Sequence, residues 1–313
     1  MEIAKNLLLL IVGFVMLIKG ADLFVDGASG IAKKFGIPEI IVGLTIVAMG
    51  TSAPEAAVSI AAALKGNGDI TLGNVLGSNI LNVFIILGIT ALIIPIAVSE
   101  STIRIDMPFM ILVTFVLLIT GLRGGEIGRL DGLLMWAFFI LYMGYLFYSA
   151  RHSMKAEAHK KKERTRPVPL LLLFTVAGGA MIIIGSNITV NSASDIAADL
   201  GVSARVIALT IVAFGTSLPE LVTSLTAARK GNADIAIGNI VGSNIFNILF
   251  VVGTTALITD VAFASKFLFD MAAAIAAAVI VWLFALKDKK LSRMSGVIML
   301  LLYAAYLIYI LMG

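Results

Sequence analysis

The sequence has no cysteine, only two histidines, and just 13% charged residues across 313 positions. Without cysteine there is no disulfide, no thiolate nucleophile and no thiolate metal ligand, and the redox compartment is left unassigned. Both histidines, His152 and His159, fall in one polar segment, so no apolar stretch carries an imidazole base or a histidine metal ligand. So little charge excludes an ordinary soluble domain, in which about a quarter of the residues are charged.

Hydrocarbon fills the chain instead, with 60% of its residues hydrophobic. Apolar stretches of crossing length, roughly 20 residues, lie near 6–30, 39–64, 70–94, 105–121, 132–150, 168–192, 206–229, 235–259, 267–286 and 294–312. This pattern predicts an all-α integral membrane protein with ten transmembrane helices and no room for a soluble domain. The run NLLLLIVGFVMLIKG lacks a convincing basic start or cleavage site, and its relative in the second half is internal, so it is predicted to be a helix rather than a leader.

Basic residues crowd the linker 151–167, around RHSMKAEAHKKKERTR. Cytoplasmic loops carry the excess of Lys and Arg, so the linker is predicted to be cytoplasmic and both termini extracellular, in the cell membrane. Lys33, Lys34, Arg104, Arg229, Lys230, Lys287, Lys289, Lys290 and Arg293 then lie inside. Lys5, Lys65, Arg123, Arg129, Arg205 and Lys266 lie outside, and Lys19 sits within the first helix. The linker has no aromatic residues to stack on bases, which argues against nucleic acid as a partner.

The chain is internally duplicated. LTIVAMGTSAPEAAVSIAAALKGNGDITLGNVLGSNILN at 44–82 returns at 209–247 as LTIVAFGTSLPELVTSLTAARKGNADIAIGNIVGSNIFN, without a gap and at a spacing of 165. A weaker match places FVDGASGIAKKFGI (24–37) opposite TVNSASDIAADLGV (189–202). Each half, 1–150 and 168–313, holds five helices, and an odd number puts the second copy into the membrane from the opposite side. Inverted repeats of this kind build secondary transporters, with the site at mid-membrane between the copies.

The repeated motifs put polar chemistry in that place. Pro54 and Pro219 interrupt their helices and free the carbonyls of Gly50 and Gly215, which hydrocarbon tolerates only where protein, water or an ion satisfies them. Glu55 stands ten residues from Lys65, about 15 Å along a helix, which places it near the bilayer centre. Glu220 mirrors it. A carboxylate there costs at least about 2.5 kcal/mol on insertion scales and marks a functional site. Ser52-x-x-Glu55 also has the form of a helix-capping box, and capping and ion ligation are both expected of it. Thr51, Ser52 and Glu55 share one side of a helix, as do Thr216, Ser217 and Glu220. Ser78 and Asn82, and likewise Ser243 and Asn247, add hydroxyl and amide oxygens. In the same motif, Gly73-x-x-x-Gly77 and Gly238-x-x-x-Gly242 suit close helix packing. Oxygen-only ligation selects a hard cation, and an irregular site of many oxygens suits Ca²⁺ and Na⁺ better than Mg²⁺. Outside this cluster, Gly66 and Gly231 are expected to end helices, and Asp69 and Asp234 to cap the next ones. Asp22 and Asp26 either line an ion path or face water.

The motifs GTSxPE and GNxxGSNIxN, present in both halves, resemble the repeats of the calcium/cation antiporters, and of the sodium/calcium exchanger branch most closely. The resemblance covers essentially the whole chain. It implies exchange of Na⁺ for Ca²⁺ by alternating access, without a cofactor and in a monomer, with the second, third, seventh and eighth helices forming the site and the first and sixth sliding across it. The implied ligands are Thr51, Ser52, Glu55, Ser78, Asn82 and the carbonyl of Ala48. From the second copy come Thr216, Ser217, Glu220, Ser243, Asn247 and the carbonyl of Ala213. Several family members carry Asp at the last position, so Asn247 speaks against potassium coupling. The short linker leaves no space for cytoplasmic calcium-sensing domains. A cation/proton exchanger is the alternative. A channel is disfavoured by two buried carboxylates, and an intramembrane hydrolase by the lack of His, Lys or a metal cluster beside Ser52 or Ser217.

Overall fold

A computed structural model describes residues 2–157, 166–201 and 213–312. Residues 158–165 of the basic linker, with His159, and residues 202–212, with Arg205 and the first part of the seventh apolar stretch, lie outside these. Helices dominate, as the apolar sequence demands: in a hydrocarbon medium every backbone N–H and C=O must be satisfied within the chain, and a helix does this locally.

The first half begins with α1 (Glu2–Phe35) and a broken span made of α2 (Glu39–Thr51) and α3 (Ala53–Leu64), bent by 49°. Helix α4 runs through Asp69–Leu81, a wider π-helical stretch Asn82–Leu87 and Gly88–Ile93. Strand β1 (Ile96–Ala97) follows, then α5 (Thr102–Gly124), β2 (Glu126–Ile127) and α6 (Arg129–Glu157). The second half repeats the order with α7 (Val168–Asp199), α8 (Ala213–Thr216), α9 (Leu218–Arg229), α10 (Ala233–Ile258), β3 (Val261–Ala262), α11 (Phe267–Asp288), β4 (Lys290–Leu291) and α12 (Arg293–Met312). Among the described residues, eight helices are long and apolar enough to cross a membrane, and the bent α2–α3 pair makes a ninth. The seventh stretch enters the description at Ala213. Leu8, Ile11, Ile119, Leu141, Val176 and Leu301 are all more than 60% exposed, an apolar exterior suited to lipid.

Helix α6 carries seven residues past the predicted boundary at 150 and takes in His152, which stacks on Tyr148. The long helices α1 and α7 pack antiparallel along a seam of small residues. A Cβ on Gly20 would lie 2.9 Å from the Gly178 carbonyl oxygen, so the two backbones touch there.

The small strands register how the halves are arranged. β1 pairs with β4 and β2 with β3, both antiparallel. Ile96 and Val261 are equivalent at the spacing of 165, as are Ile127 and Ser292, yet β1 and β2 sit at opposite ends of α5. Equivalent strands of the two halves therefore lie at opposite ends of the molecule, the arrangement an inverted repeat requires. At the β1–β4 end, Lys289 Nζ lies 2.8 Å from Glu100, and Arg104 contacts the same carboxylate.

Gly66 and Gly231 do end their helices, at φ +78° and +79°. Asp234 does not take the expected cap position: α10 begins after Asn232, with Asp234 inside the first turn, and the Asp69 side chain lies outside the described residues. Asp22 and Asp26 are half-exposed and bind Lys230 Nζ at 3.3 and 2.7 Å, so they tie the end of α1 to the turn after α9 and stay clear of the central cluster.

Candidate functional site

Both interrupted helices break where proline removes a donor. The residues at the breaks, Ser52 (φ −81°, ψ 6°) and Ser217 (φ −92°, ψ 4°), leave the helical region, and the proline falls in the next first turn. Glu55 and Glu220 lie in those first turns, where the N-terminal end of the helix dipole favours negative charge. On the partner helices, the π-helical stretches open at Asn82 and at Asn247. Single π turns within α-helices are frequent at functional sites.

These four places converge, and the hydrogen bonds run crosswise between the repeats. Ser52 Oγ donates to Glu220 Oε1 at 2.9 Å. Ser217 Oγ donates to Glu55 Oε1 at 3.5 Å, and Ser78 Oγ reaches the same oxygen at 3.3 Å while lying 3.2 Å from Ser217 Oγ. The Thr216 side chain also interacts with Glu55. Ser243 Oγ donates to the Ala48 carbonyl at 3.4 Å, which also accepts from Thr51 Oγ1 at 3.3 Å. Ala213 opens α8, on the same segment as Thr216. Both glutamates are 0% exposed, and among the described residues no Lys, Arg or His forms an ion pair with either. Two buried carboxylates without a cationic partner make a site that demands a cation.

Of seven buried side-chain oxygens without a hydrogen-bond partner among the described residues, four belong to this cluster: Glu55 Oε2, Glu220 Oε2, Asn82 Oδ1 and Asn247 Oδ1. They form two pairs related by the internal repeat. A buried unsatisfied acceptor costs about 1–3 kcal/mol, so the site is unfavourable until something electropositive enters.

Two expectations need correction. Neither Ser52 nor Ser217 caps its helix with its side chain, because each hydroxyl crosses to the carboxylate of the other repeat. Nor is the Gly215 carbonyl left for an ion: Ser186 Oγ of α7 donates to it at 2.8 Å. The position equivalent to Ser186 in the first half is Ala21, which has no donor.

Sequence reasoning also missed residues. Asn74 Nδ2 bonds Ser59 Oγ at 2.9 Å and the Glu55 carbonyl at 3.2 Å. Asn239 does the same with Ser224 and the Glu220 carbonyl, at 2.9 and 3.4 Å, and accepts from Thr51 Oγ1 at 2.9 Å. Asn79 and Asn244 face each other at the centre. The signal was present, since these asparagines lie in the duplicated GN and GSN of the second motif. Gly242 of that motif does pack closely, a Cβ there falling 2.7 Å from the Leu44 carbonyl oxygen.

Comparison with known proteins places the chain in a family. The family described as Sodium/calcium exchanger protein matches residues 5–148 and 170–312, both halves of the chain. The Sodium/calcium exchanger MaX1 of Methanosarcina acetivorans is 35% identical, covering 98% of each chain. The Inner membrane protein YrbG of Escherichia coli is 39% identical over 80% of this chain and 79% of its own. A solved structure of the sodium-calcium exchanger NCX_Mj, soaked with zero Na⁺ and Ca²⁺, superposes with a TM-score of 0.84 at 30% identity, covering 98% of this chain and 99% of that one. The chain belongs to the sodium/calcium exchanger family of multi-pass membrane transporters, and it is not an enzyme.

Proposed function

We propose that the protein exchanges Na⁺ for Ca²⁺ by alternating access at the crossing of α2, α3 and α4 with α8, α9 and α10. The observation that carries this is the set of four buried, unpartnered oxygens, two from carboxylates and two from amides, paired by the repeat. Their charge matches one divalent ion, and an all-oxygen donor set selects a hard cation. Ca²⁺ accepts irregular cages of six to eight oxygens, whereas Mg²⁺ needs a near-ideal octahedron.

In this proposal Glu55 and Glu220 supply the charge, and Asn82 and Asn247 turn their amide oxygens to the ion. Thr51, Ser52, Ser78, Thr216, Ser217 and Ser243 supply hydroxyls, which keep lone pairs free for a cation while donating to the carboxylates. The carbonyls of Ala48 and Ala213 complete the set. Na⁺ and Ca²⁺ compete for the same two carboxylates, so one must leave before the other binds. Two bare carboxylates buried in a dry interior are costly, and this discourages return of the empty site across the membrane. Obligatory exchange follows from that penalty.

Ten crossings fit this scheme as two repeats, 1–150 and 168–313, joined by the linker 151–167. The linker faces the cytoplasm, both termini face outward, the location is the cell membrane, and a single chain in the lipid bilayer suffices for transport. Lys289 and Arg104 meet Glu100, and Lys230 meets Asp22 and Asp26, which keeps residues assigned to the inner side together.

Proteoliposomes loaded with Na⁺ test the reading. External ⁴⁵Ca²⁺ should accumulate when external Na⁺ is removed. Uptake that follows a pH gradient and ignores Na⁺ would overturn it in favour of proton coupling, and flux without counter-transport would overturn it in favour of a channel.

A further inference from the structure

An amide can coordinate a cation only through its oxygen, yet asparagine presents an oxygen and an NH₂ of nearly equal size. Something must decide which end faces the site. We infer that Asn79 and Asn244, which contribute no unpartnered atom to the site, are positioning residues that fix Asn247 and Asn82 with their oxygens toward the ion, each acting across the repeat boundary. The inference rests on the proposed cation site and adds to it two residues with a distinct task.

The hydrogen bonds form a closed, one-way circuit. Asn79 Nδ2 donates to the backbone carbonyl of Asn244 at 3.2 Å, and Asn244 Nδ2 donates to the backbone carbonyl of Asn79 at 3.2 Å. A backbone carbonyl can only accept, so both amides are locked with their NH₂ groups on the opposite chain segment. Each Oδ1 is then left pointing the other way, where it accepts from an amide of the opposite repeat. Asn247 Nδ2 donates to Asn79 Oδ1 at 3.2 Å, and Asn82 Nδ2 donates to Asn244 Oδ1 at 3.0 Å. With their nitrogens engaged, Asn82 and Asn247 must turn their oxygens away from the circuit. Those are the two amide oxygens without any partner. All four side chains are at most 4% exposed, so no bulk water substitutes for a lost bond.

The circuit makes a crosswise forecast. Asn79 is three residues from Asn82 on one helix but acts on Asn247 of the other, and Asn244 acts on Asn82. Outer partners that orient a metal ligand typically contribute about 10- to 100-fold in affinity. Ca²⁺ binding to the purified full-length protein in Na⁺-free buffer would be measured for Asn79→Ala, Asn247→Ala, Asn82→Ala and the double variants. Asn79→Ala should weaken binding about 10- to 100-fold. In the Asn247→Ala background it should change little, because no amide is left to orient, whereas in the Asn82→Ala background its full factor should persist. A purely structural role for Asn79 predicts equal factors in both backgrounds, and that result overturns the inference. If Asn79→Ala does not fold, Asn244→Ala against Asn82→Ala and Asn247→Ala carries the mirror-image cycle with the same two outcomes. Failure of the wild type to bind Ca²⁺ at all would instead remove the site reading beneath it.

Discussion

Replacing Glu220 by Gln removes one charge and almost no volume, so it isolates the electrostatic part of the site. The carboxylate is fully buried, receives Ser52 Oγ at 2.9 Å, and has Oε2 free. Removing one partner of a buried ionic contact costs about 3–5 kcal/mol, which at about 1.4 kcal/mol per tenfold predicts Ca²⁺ affinity lower by about 100- to several thousand-fold. Coulomb attraction scales with the product of the charges, so the electrostatic loss for Na⁺ is about half as large on the same energy scale and selectivity moves toward the monovalent ion. Stability without cations should move the other way. The variant relieves the burial of one carboxylate, and the Ser52 hydroxyl can turn to accept from the new amide. Thermal unfolding of purified protein in Na⁺-free buffer reads both effects. At Ca²⁺ about 100 times its Kd the wild type gains about 2.7 kcal/mol. With Kd raised about 1,000-fold, the same Ca²⁺ adds less than about 0.1 kcal/mol, and the Tm shift vanishes. Glu55→Gln should behave alike. A Glu220→Gln protein that keeps the wild-type Ca²⁺-dependent Tm shift would refute the assignment, and one that is severely destabilised in the absence of cations would show a structural role instead.

A cysteine placed at Ser153, just beyond the apolar part of α6, should resist impermeant thiol reagents in intact cells and react after lysis; labelling from outside would reverse the proposed orientation. Asn247→Asp puts a titratable group where the wild type has an amide. Na⁺-driven Ca²⁺ uptake should then vary with pH near neutrality in the variant and not in the wild type, with no K⁺ requirement in the latter; matching profiles would remove Asn247 from the ligands. Ser186→Ala strands the Gly215 carbonyl, so Tm should fall by the equivalent of about 1–3 kcal/mol, with Ca²⁺ affinity changed far less than in Glu220→Gln. At the β1–β4 end, Lys289 and Arg104 hold the Glu100 carboxyl below its ordinary value of 4.5. A depressed folded-state value contributes stability that is present above the unfolded one and lost as pH falls through it, so Glu100→Gln should lower stability slightly at neutral pH, and its difference from the wild type should vanish as pH falls below 4.5.

Much of this was legible in the sequence, because the bilayer imposes simple rules. Apolar length located the spans, the exact spacing of 165 located the repeat, and a carboxylate beside a proline in each copy located the site. What escaped was partner choice. Ser52 and Glu55 stand three apart and read as a local capping box, and nothing in the local pattern says that Ser52 reaches Glu220, 168 residues away. Pro219 correctly implied a freed carbonyl at Gly215, but the donor, Ser186, sits in the polar run GSNITVNSAS, where nothing in the sequence singles out the side chain that meets Gly215. Asn79 was overlooked because Ser78 and Asn82 already fell on one helical face, and its task appears only once Asn244 is seen opposite it.

The crosswise wiring constrains how the site can open. Glu55 is held by Ser217 and Glu220 by Ser52, and the central asparagines lock each repeat to the other. Separating the repeats would break all of these bonds in a place without water to replace them, at about 1–3 kcal/mol for each group left unsatisfied. Access alternates more cheaply if the central helices stay joined and something outside them moves. The α1–α7 pair is suited to that part. It meets the two helix breaks through Phe24, whose ring lies 3.0 Å from where a Gly50 Cβ would be, and through Val190 packed on Gly215 beside the bond from Ser186 to the Gly215 carbonyl. Its own contact is a seam in which the Gly20 and Gly178 backbones touch and the side chains of Thr175, Thr189 and Leu171 fill the places left by glycines of α1. We propose that a shift of this pair over the central helices uncovers one break or the other while the carboxylates keep their partners.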